Sequence, residues 1–319
     1  MTTKSHKKKN RLKRKGPVEG NSPGDQRLMK NEKAEDQAIE YQAVMKEYEG
    51  QDPSLAFFEL ANASCVHYRI GSDLLTSLQR KKQKTKEGNR SIDSSSKQQF
   101  LSLKQNSQAQ THTGGVIWET SYLLLEYLLH QAMHKSEQKA SIGPKIIEVG
   151  AGCGLLGLAL AAQIPSTHVV LTETKEVLDT ILLPNLHNNK SMVPSKSSVK
   201  ACSLDWLVYE DDAKQNDLQS TKFDMILGTD VVFSTKLVEP LLATMNFLSH
   251  DKTIAYLCLQ SDRCPSSFQI LLNKAAKYHF RVTQIDLDKE DWGDDTSTPA
   301  FVTWGSSLEC HLLRLDRLV

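Results

Sequence analysis

A glycine-rich segment at residues 150–157 is the strongest chemical signal in the sequence. It follows the apolar run 145–149 and precedes aliphatic residues at helical spacing, so it should connect a strand to a helix. Glycine lets the backbone approach a ligand closely, and a helix N-terminus offers unpaired N–H groups at the positive end of its dipole. A nucleotide-type cofactor fits this context better than a purely structural turn does. Because residues 152–157 also match the G-x-G-x-x-G pattern of dinucleotide enzymes, the glycines alone do not name the cofactor.

An acidic residue lies where a doubly wound fold would present it to a ribose. Glu173 ends the next predicted strand, 21 residues after Gly152. Its two oxygens could accept hydrogen bonds from two ribose hydroxyls. The alternative is an ordinary helix-capping carboxylate.

The elements that would position these residues alternate along the chain. Hydrophobic spacing predicts strands at 145–149, 168–172, 199–204, 223–227, 253–259, 280–287 and 309–315. It predicts helices at 117–130, 155–163, 176–188, 235–248 and 266–278. The last two strands should be joined directly, without a helix between them. This order predicts a Rossmann-like α/β fold: a seven-stranded, mostly parallel sheet with an antiparallel last strand and helices on both faces.

The N-terminal part of the chain has a different composition. Residues 1–52 are polar and charged, which predicts a disordered tail with a short helix near 34–48. Weak alternation at 65–79 and 100–105 predicts a hairpin extension, and the Lys/Ser/Gln-rich segment 80–99 should be a flexible insertion. The catalytic domain is therefore expected to span residues 53–319.

Charge and cysteine content exclude several classes of protein. The net charge is +1, but residues 1–20 hold eight Lys/Arg against one acid and residues 80–90 hold six against one, so the remaining chain is acidic. The six cysteines form no C-x-x-C pair, and we expect reduced thiols and no metal site.

The sequence also bears on the location of the protein. No apolar run reaches the roughly 20 residues that a membrane span needs, and we expect no signal peptide. The basic run 7–15 could serve nuclear import or nucleic-acid contact, or only solubility. We predict a cytoplasmic protein and leave a nuclear location open.

Four motifs together resemble one enzyme family. They are E-V-G-A-G-C-G at 148–154, L-T-E-T at 171–174, L-D-W at 204–206 and G-T-D-V-V-F at 228–233. In this order and spacing the chain is similar to the family 16 group of class I, seven-β-strand, S-adenosylmethionine-dependent methyltransferases. These are protein-lysine methyltransferases that act on chaperones and translation factors. The upstream segment G-G-V-I-W-E at 114–119 resembles the tryptophan motif of that group.

The resemblance implies a role for individual residues. It implies that S-adenosylmethionine is the cofactor and that seven residues bind it: Trp118, Gly150, Ala151, Gly152, Glu173, Trp206 and Thr229. It also implies that Asp230 receives the substrate amine and that Phe233 packs against the aliphatic stem. The family has Asp more often at position 173 and Tyr more often at position 233. For Asp230 the alternative is a helix cap, and for Phe233 and the tryptophans it is a place in the core.

The substrate and two competing functions can be weighed on residue types. A carboxylate at position 230 suits a cationic amine, whereas enzymes that methylate planar amides or bases carry N-P-P-Y there, so a protein lysine is favoured. The acidic loop after Leu287, with Asp291, Asp294 and Asp295, could dock a basic partner.

Two other functions compete with this one. An NAD(P)-dependent oxidoreductase is the first, although none of the eight tyrosines is followed four residues later by lysine. The other is a non-catalytic nucleic-acid or assembly factor that uses the basic tail and keeps a relict cofactor fold.

Overall fold

The computed structural model describes residues 38–71, 98–106, 113–134, 144–290, 292 and 298–318. The strands are β1 Ala38–Glu40, β2 Cys65–Ile70, β3 Gln99–Lys104, β4 Lys145–Val149, β5 His168–Glu173, β6 Ser198–Ser203, β7 Phe223–Thr229, β8 Ser249–Gln260, β9 Phe280–Ile285 and β10 Cys310–Arg317. The helices are α1 Tyr41–Glu47, α2 Pro53–Asn62, α3 Glu119–His134, α4 Leu155–Gln163, α5 Lys175–Val177, α6 Leu183–Asn189, α7 Tyr209–Gln215, α8 Val238–Leu248, α9 Pro265–Lys274 and α10 Ala300–Ser307. A π-helical turn at Leu178–Leu182 joins α5 to α6.

Seven strands form one sheet in the order β6-β5-β4-β7-β8-β10-β9. Strands β4 to β8 all run parallel to one another, and β10 runs antiparallel to both β8 and β9. The carboxyl ends of β4, β5, β7 and β8 therefore meet at one edge, where such sheets place their ligands. The predicted mostly parallel sheet with an antiparallel last strand is confirmed.

Both faces of this sheet are buried. On β4, Ile146 packs into one hydrophobic cluster with α3 and α4, and Ile147 packs into another with α8 and α9. Successive strand residues point to opposite faces, so a strand covered on both sides is apolar throughout. Helix α4 lies so deep that all nine of its residues are buried. Helices on both faces are thus confirmed.

The N-terminal segment forms a second, smaller sheet. Strand β2 pairs antiparallel with β3, which confirms the predicted hairpin, and β1 pairs parallel with β2. The predicted disordered tail is too long at its C-terminal end, because Tyr41 and Val44 of α1 are buried in the core. The Tyr41 ring stacks on that of Tyr122 at 4.3 Å between centroids, and this packing orders a segment whose composition is polar. The predicted boundary at residue 52 therefore lies too close to the C-terminus. The basic run 7–15 and most of the insertion 80–99 lie outside the described residues.

The direct connection predicted between the last two strands is wrong. Helix α10 lies between them, although residues such as Gly305 and Ser306 have low helix propensity. Its Trp304 ring contacts Phe57 of α2 at 4.9 Å between centroids, so tertiary burial overrides local preference. Helices α2 and α7 were also not predicted. Of the acidic loop, Asp291, Asp294 and Asp295 lie outside the described residues.

No helix in the described part of the chain is both long and apolar enough to cross a membrane.

Candidate active site

The glycine turn after β4 has a backbone that L-residues rarely adopt. Gly150 has a φ of +68° and Gly152 a φ of +54°. A Cβ added to Gly150 would lie 2.9 Å from Val231 Cγ1, and one added to Gly152 would lie 3.1 Å from the Gly114 carbonyl oxygen. Glycine is therefore required both for conformation and for space. The turn forms a cradle that side chains would fill.

Glu173 lies beside this turn. Strand β5 pairs with β4 in parallel register, with Val149 opposite Thr172, so the end of β5 adjoins the glycines. The Glu173 carboxylate accepts hydrogen bonds from the N–H of Gly152 at 3.1 Å and of Thr174 at 2.7 Å. The Thr174 hydroxyl also donates to Oε2 at 3.4 Å, so the carboxylate is held in a fixed orientation at the wall of the turn.

All nine residues that the sequence singles out surround one cavity of about 550 Å³, which we call the site cavity. They are Trp118, Gly150, Ala151, Gly152, Glu173, Trp206, Thr229, Asp230 and Phe233. The volume lies within the usual range for cofactor and small-molecule sites. The glycine cradle, the carboxylate and two tryptophans therefore share one space, and this set fits a nucleoside cofactor that carries a positive charge.

Aromatic and hydroxyl side chains complete the walls of the site cavity. The Trp206 ring lies over the glycine turn, 3.4 Å from the place of a Cβ on Gly150. Trp118 donates from Nε1 to the Thr113 carbonyl oxygen at 3.1 Å. Thr229 Oγ1 lies 2.8 Å from Ser121 Oγ on α3, so the side chain at the end of β7 is held against that helix.

Asp230 lines the site cavity directly after β7. Its backbone is left-handed, with a φ of +51°, and its side chain is 14% exposed. Oδ2 accepts a hydrogen bond from Thr120 Oγ1 at 3.0 Å, and Oδ1 has a long contact of 3.4 Å from the Gln260 N–H. Burial raises the pKa of Asp230 to about 6, and nearby Arg263 opposes that rise. The group is thus a carboxylate at neutral pH that sits in a partly desolvated place.

Arg263 forms an ion pair that the sequence did not reveal. Its guanidinium lies 2.5 Å from Asp230 Oδ2 and also pairs with the buried Glu119. The same group lies 4.4 Å from the ring centroid of Trp118, at a distance typical of a cation–π contact. Glu119 is the last residue of the tryptophan motif at 114–119, and the sequence did not assign it a role. Arg263 follows β8 at the ligand-binding edge of the sheet, and that position is the one signal that could have found it.

Phe233, which was predicted at the substrate end, is the most exposed of the nine predicted residues that line the site cavity. Its side chain is 47% exposed at the rim of the site cavity, and its carbonyl oxygen accepts a hydrogen bond from Cys264 Sγ at 2.8 Å. It is therefore not a core residue. An apolar ring at this rim is available to a ligand that enters from solvent.

Glu148 belongs to the glycine motif but faces the protein interior. Burial raises its pKa to about 8, although the Gly157 N–H donates to its Oε2 at 2.9 Å. At neutral pH it is largely a neutral carboxylic acid. It supports the turn rather than lining the site cavity.

Comparison with known proteins identifies the family. A family model described as lysine methyltransferase matches residues 95–275, more than half of the chain. The chain belongs to this lysine methyltransferase family. The predicted enzyme class, an S-adenosylmethionine-dependent protein-lysine methyltransferase, and its cofactor are confirmed, and neither the oxidoreductase nor the relict-fold alternative is favoured.

Individual relatives of this methyltransferase carry names of the same kind. It is 25% identical over 190 residues to the EEF1A lysine methyltransferase 3 of Mus musculus, which covers 60% of this chain and 74% of that protein. It is 30% identical to the Protein N-lysine methyltransferase METTL21A of Danio rerio, over 44% of this chain and 58% of that protein. It is 27% identical to the calmodulin-lysine N-methyltransferase of Arabidopsis thaliana, over 50% of each chain. The chain thus spans about half to three quarters of the length of these relatives.

Proposed function

We propose that this methyltransferase modifies a lysine side chain of a non-histone protein and that Asp230 receives the incoming amine. The observation that carries the proposal is the place of Asp230: a carboxylate 14% exposed in the wall of the site cavity, on the sheet edge that also holds the glycine turn. A buried carboxylate attracts a cationic amine and remains able to accept a hydrogen bond after the amine has lost its proton.

The other predicted residues divide between cofactor and substrate. Gly150, Ala151 and Gly152 would lie under the cofactor, Glu173 would accept its ribose hydroxyls, and Thr229 would contact it through the backbone. The rings of Trp118 and Trp206 would flank its base and its sulfonium. When bound, S-adenosylmethionine supplies a methyl group on a positively charged sulfur. Phe233 would pack against the aliphatic stem of the substrate lysine.

The task of the protein groups is to present an uncharged amine in line and away from water. The substrate ammonium must first release its proton to solvent or to a nearby base. Asp230 then fixes the direction of the neutral amine by accepting one of its N–H groups. Holding two reactants in this way can supply roughly 7 to 11 kcal/mol of the barrier reduction. Paired general acid and base residues are not needed for this reaction.

The class of substrate is proposed from the relatives and from charge. The mouse relative is named for EEF1A and the Arabidopsis relative for calmodulin, which supports a protein acceptor rather than a nucleic acid. We favour a translation factor or a chaperone. Any contact with nucleic acid is assigned to the basic tail alone, because the rest of the chain is acidic.

The function can be tested with tritiated S-adenosylmethionine and a soluble cell extract. The wild-type protein should label at least one protein band, and mass spectrometry should locate the methyl group on lysine. Asp230→Asn should abolish most of the label while its affinity for the cofactor, measured by calorimetry, stays within about threefold. A wild-type protein that binds the cofactor but labels only arginine, glutamine or RNA would refute the proposal.

Asp217 provides a matched control for that variant. It is exposed and has a φ of +57°, close to the backbone conformation of Asp230, but it does not line the site cavity. Asp217→Asn should label the same band at the wild-type rate. An equal loss in both variants would mean that the effect does not depend on the place of Asp230 in the site cavity.

The location in the cell is also a proposal. The basic run 7–15 supports a mainly cytoplasmic protein that can enter the nucleus. A fluorescent fusion should lose its nuclear fraction when Lys7, Lys8, Lys9, Arg11, Lys13, Arg14 and Lys15 are changed to Gln. An unchanged distribution would leave the run with a solubilising role only.

A further inference from the structure

Arg263 ties together three elements that meet at the site cavity. It follows β8, Asp230 follows β7, and Glu119 begins α3. The guanidinium pairs with both carboxylates and lies against the Trp118 ring. A planar guanidinium with several fixed donors can hold two carboxylates at once, which an ammonium does less well. The arrangement is therefore a specific clamp and not a chance surface contact.

The two oxygens of Asp230 have different surroundings. Oδ2 is occupied by Arg263 and by the Thr120 hydroxyl. Among the described residues, Oδ1 is approached by the Gln260 N–H at 3.4 Å, which is longer than a normal hydrogen bond and leaves Oδ1 able to accept another. One oxygen is thus fixed by protein groups and the other keeps acceptor capacity.

The charges of the cluster favour one additional cation. Glu119 and Asp230 carry two negative charges when ionised, and Arg263 carries one positive charge. The cluster is then net negative by one charge, in a place where Glu119 is 8% and Asp230 14% exposed. Because uncompensated charge is costly in such a place, one substrate ammonium would balance it.

We propose that Arg263 is a positioning residue for methyl transfer: it fixes Asp230 through Oδ2, with Glu119 as its anchor, so that Oδ1 is presented to the substrate amine. This inference rests on the proposed function of Asp230 and adds a residue to it. Arg263 is not itself a catalytic residue, since it acts through Asp230.

Loss of Arg263 from this clamp should change the pKa of Asp230 in a defined direction. The groups that act on Asp230 are the Arg263 cation and the Glu119 carboxylate, and the buried thiol of Cys258 and the partly exposed thiol of Cys310 lie nearby. Burial raises the pKa of Asp230, Arg263 lowers it and Glu119 raises it. Removing the cation should therefore raise this pKa further, commonly by about one unit or more for an opposite charge in contact. The ionised form would then be lost at a higher pH.

The test compares Arg263→Gln, Arg263→Lys and the wild-type protein between pH 6.5 and pH 9. The measured quantity is the initial rate of tritium transfer from S-adenosylmethionine to the band that the wild type labels in a soluble cell extract. Rates are expressed as the ratio of variant to wild type at each pH, so the ionisation of the substrate lysine cancels. For a pKa increase of about one unit from about 6, the ratio for Arg263→Gln should be about threefold lower at pH 6.5 than at pH 9.

Two companion measurements separate positioning from a general structural role. Arg263→Lys keeps a cation and should show a smaller pH dependence of the ratio than Arg263→Gln. Arg281→Gln removes an arginine from an exposed ion pair with Asp316 and should give a ratio near one at every pH. Cofactor affinity should stay within about threefold in all variants.

Several outcomes would overturn the inference. A ratio for Arg263→Gln that is equally low at every pH would assign Arg263 a structural role alone. A ratio above one would mean that Arg263 blocks the amine site and is displaced by substrate. In both cases the wild type still methylates lysine, whereas failure of the proposed function would appear as absence of methyl-lysine with the wild-type protein itself.

Discussion

Glu173 Oε1 accepts a hydrogen bond from the backbone N–H of Gly152 at 3.1 Å, although 21 residues separate them. The parallel pairing of β4 with β5 brings the end of one strand beside the turn after the other. The carboxylate is thereby held at the wall of the site cavity before any ligand arrives. A group that is already oriented loses little conformational entropy on binding, so it should contribute strongly to affinity.

Glu173→Ala should therefore weaken cofactor binding about ten- to a hundredfold. A hydrogen bond to a charged group contributes about 1.5 to 3 kcal/mol, which corresponds to that range in dissociation constant. Calorimetric titration with S-adenosylhomocysteine measures the change. Glu47→Ala, which removes an exposed carboxylate on α1, is the control and should bind normally. Affinity within twofold of wild type for Glu173→Ala would remove Glu173 from the cofactor site.

Gly157→Ala should destabilise the fold. A Cβ on Gly157 would lie 2.3 Å from Leu171 Cδ2 and 2.7 Å from Glu148 Oε2. Overpacking of this kind costs about 1 to 3 kcal/mol, which exceeds the gain of up to about 1 kcal/mol in helix propensity. Denaturant unfolding should show a net loss of up to about 2 kcal/mol. Asn273→Ala, on the exposed side of α9, should be neutral or slightly stabilising; equal stability of both variants would mean that α4 can shift away from β5 without penalty.

The sequence was sufficient to predict the sheet and nine residues that line the site cavity, for a physical reason. The glycine turn and Asp230 follow strands of one sheet, and Glu173 and Thr229 end strands of it, so that all lie at the edge where the carboxyl ends of the parallel strands meet. Local spacing therefore carries three-dimensional information at this edge. The resemblance to the family added Thr229, Asp230, Phe233 and the two tryptophans, whose roles local spacing alone does not determine.

The clamp around Asp230 could not be predicted in the same way. Arg263 and Glu119 are 144 residues apart, and neither has a spacing that indicates the other. Their contact depends on side-chain reach across three elements. Helix α10 was missed because its stability comes from the burial of Phe301 and Trp304 and not from its own helix propensity.

Glu148 should make stability depend on pH. Its pKa is raised to about 8 by burial, whereas an unfolded glutamate titrates near 4.3. Between these values the folded chain keeps a proton that the unfolded chain has released, so the free energy of unfolding falls as pH rises. Relative to Glu148→Gln, the wild type should lose about 1 kcal/mol per pH unit between pH 5.5 and 7.5. Urea unfolding of both proteins at these pH values measures the difference, in which the contributions of other carboxyl groups cancel; parallel pH dependences would contradict a buried neutral acid.

Phe233 allows the substrate end of the site cavity to be separated from the cofactor end. Its ring is 47% exposed at the rim, and because phenylalanine has no hydroxyl group, the ring can offer only apolar contact. If it packs against the stem of the substrate lysine, Phe233→Ala should raise KM for the protein substrate about tenfold, the equivalent of roughly 1.4 kcal/mol, with cofactor affinity unchanged.

Phe58 supplies the matched control, since its ring is 72% exposed on α2 and does not line the site cavity. Phe58→Ala should leave both KM values unchanged, and Phe233→Tyr, which keeps the ring, should retain most of the wild-type activity. If Phe233→Ala instead weakened cofactor binding as much as it raised KM for the protein, the ring would have to be assigned to the cofactor. The amine would then have to approach Asp230 from a side of the site cavity that Phe233 does not border.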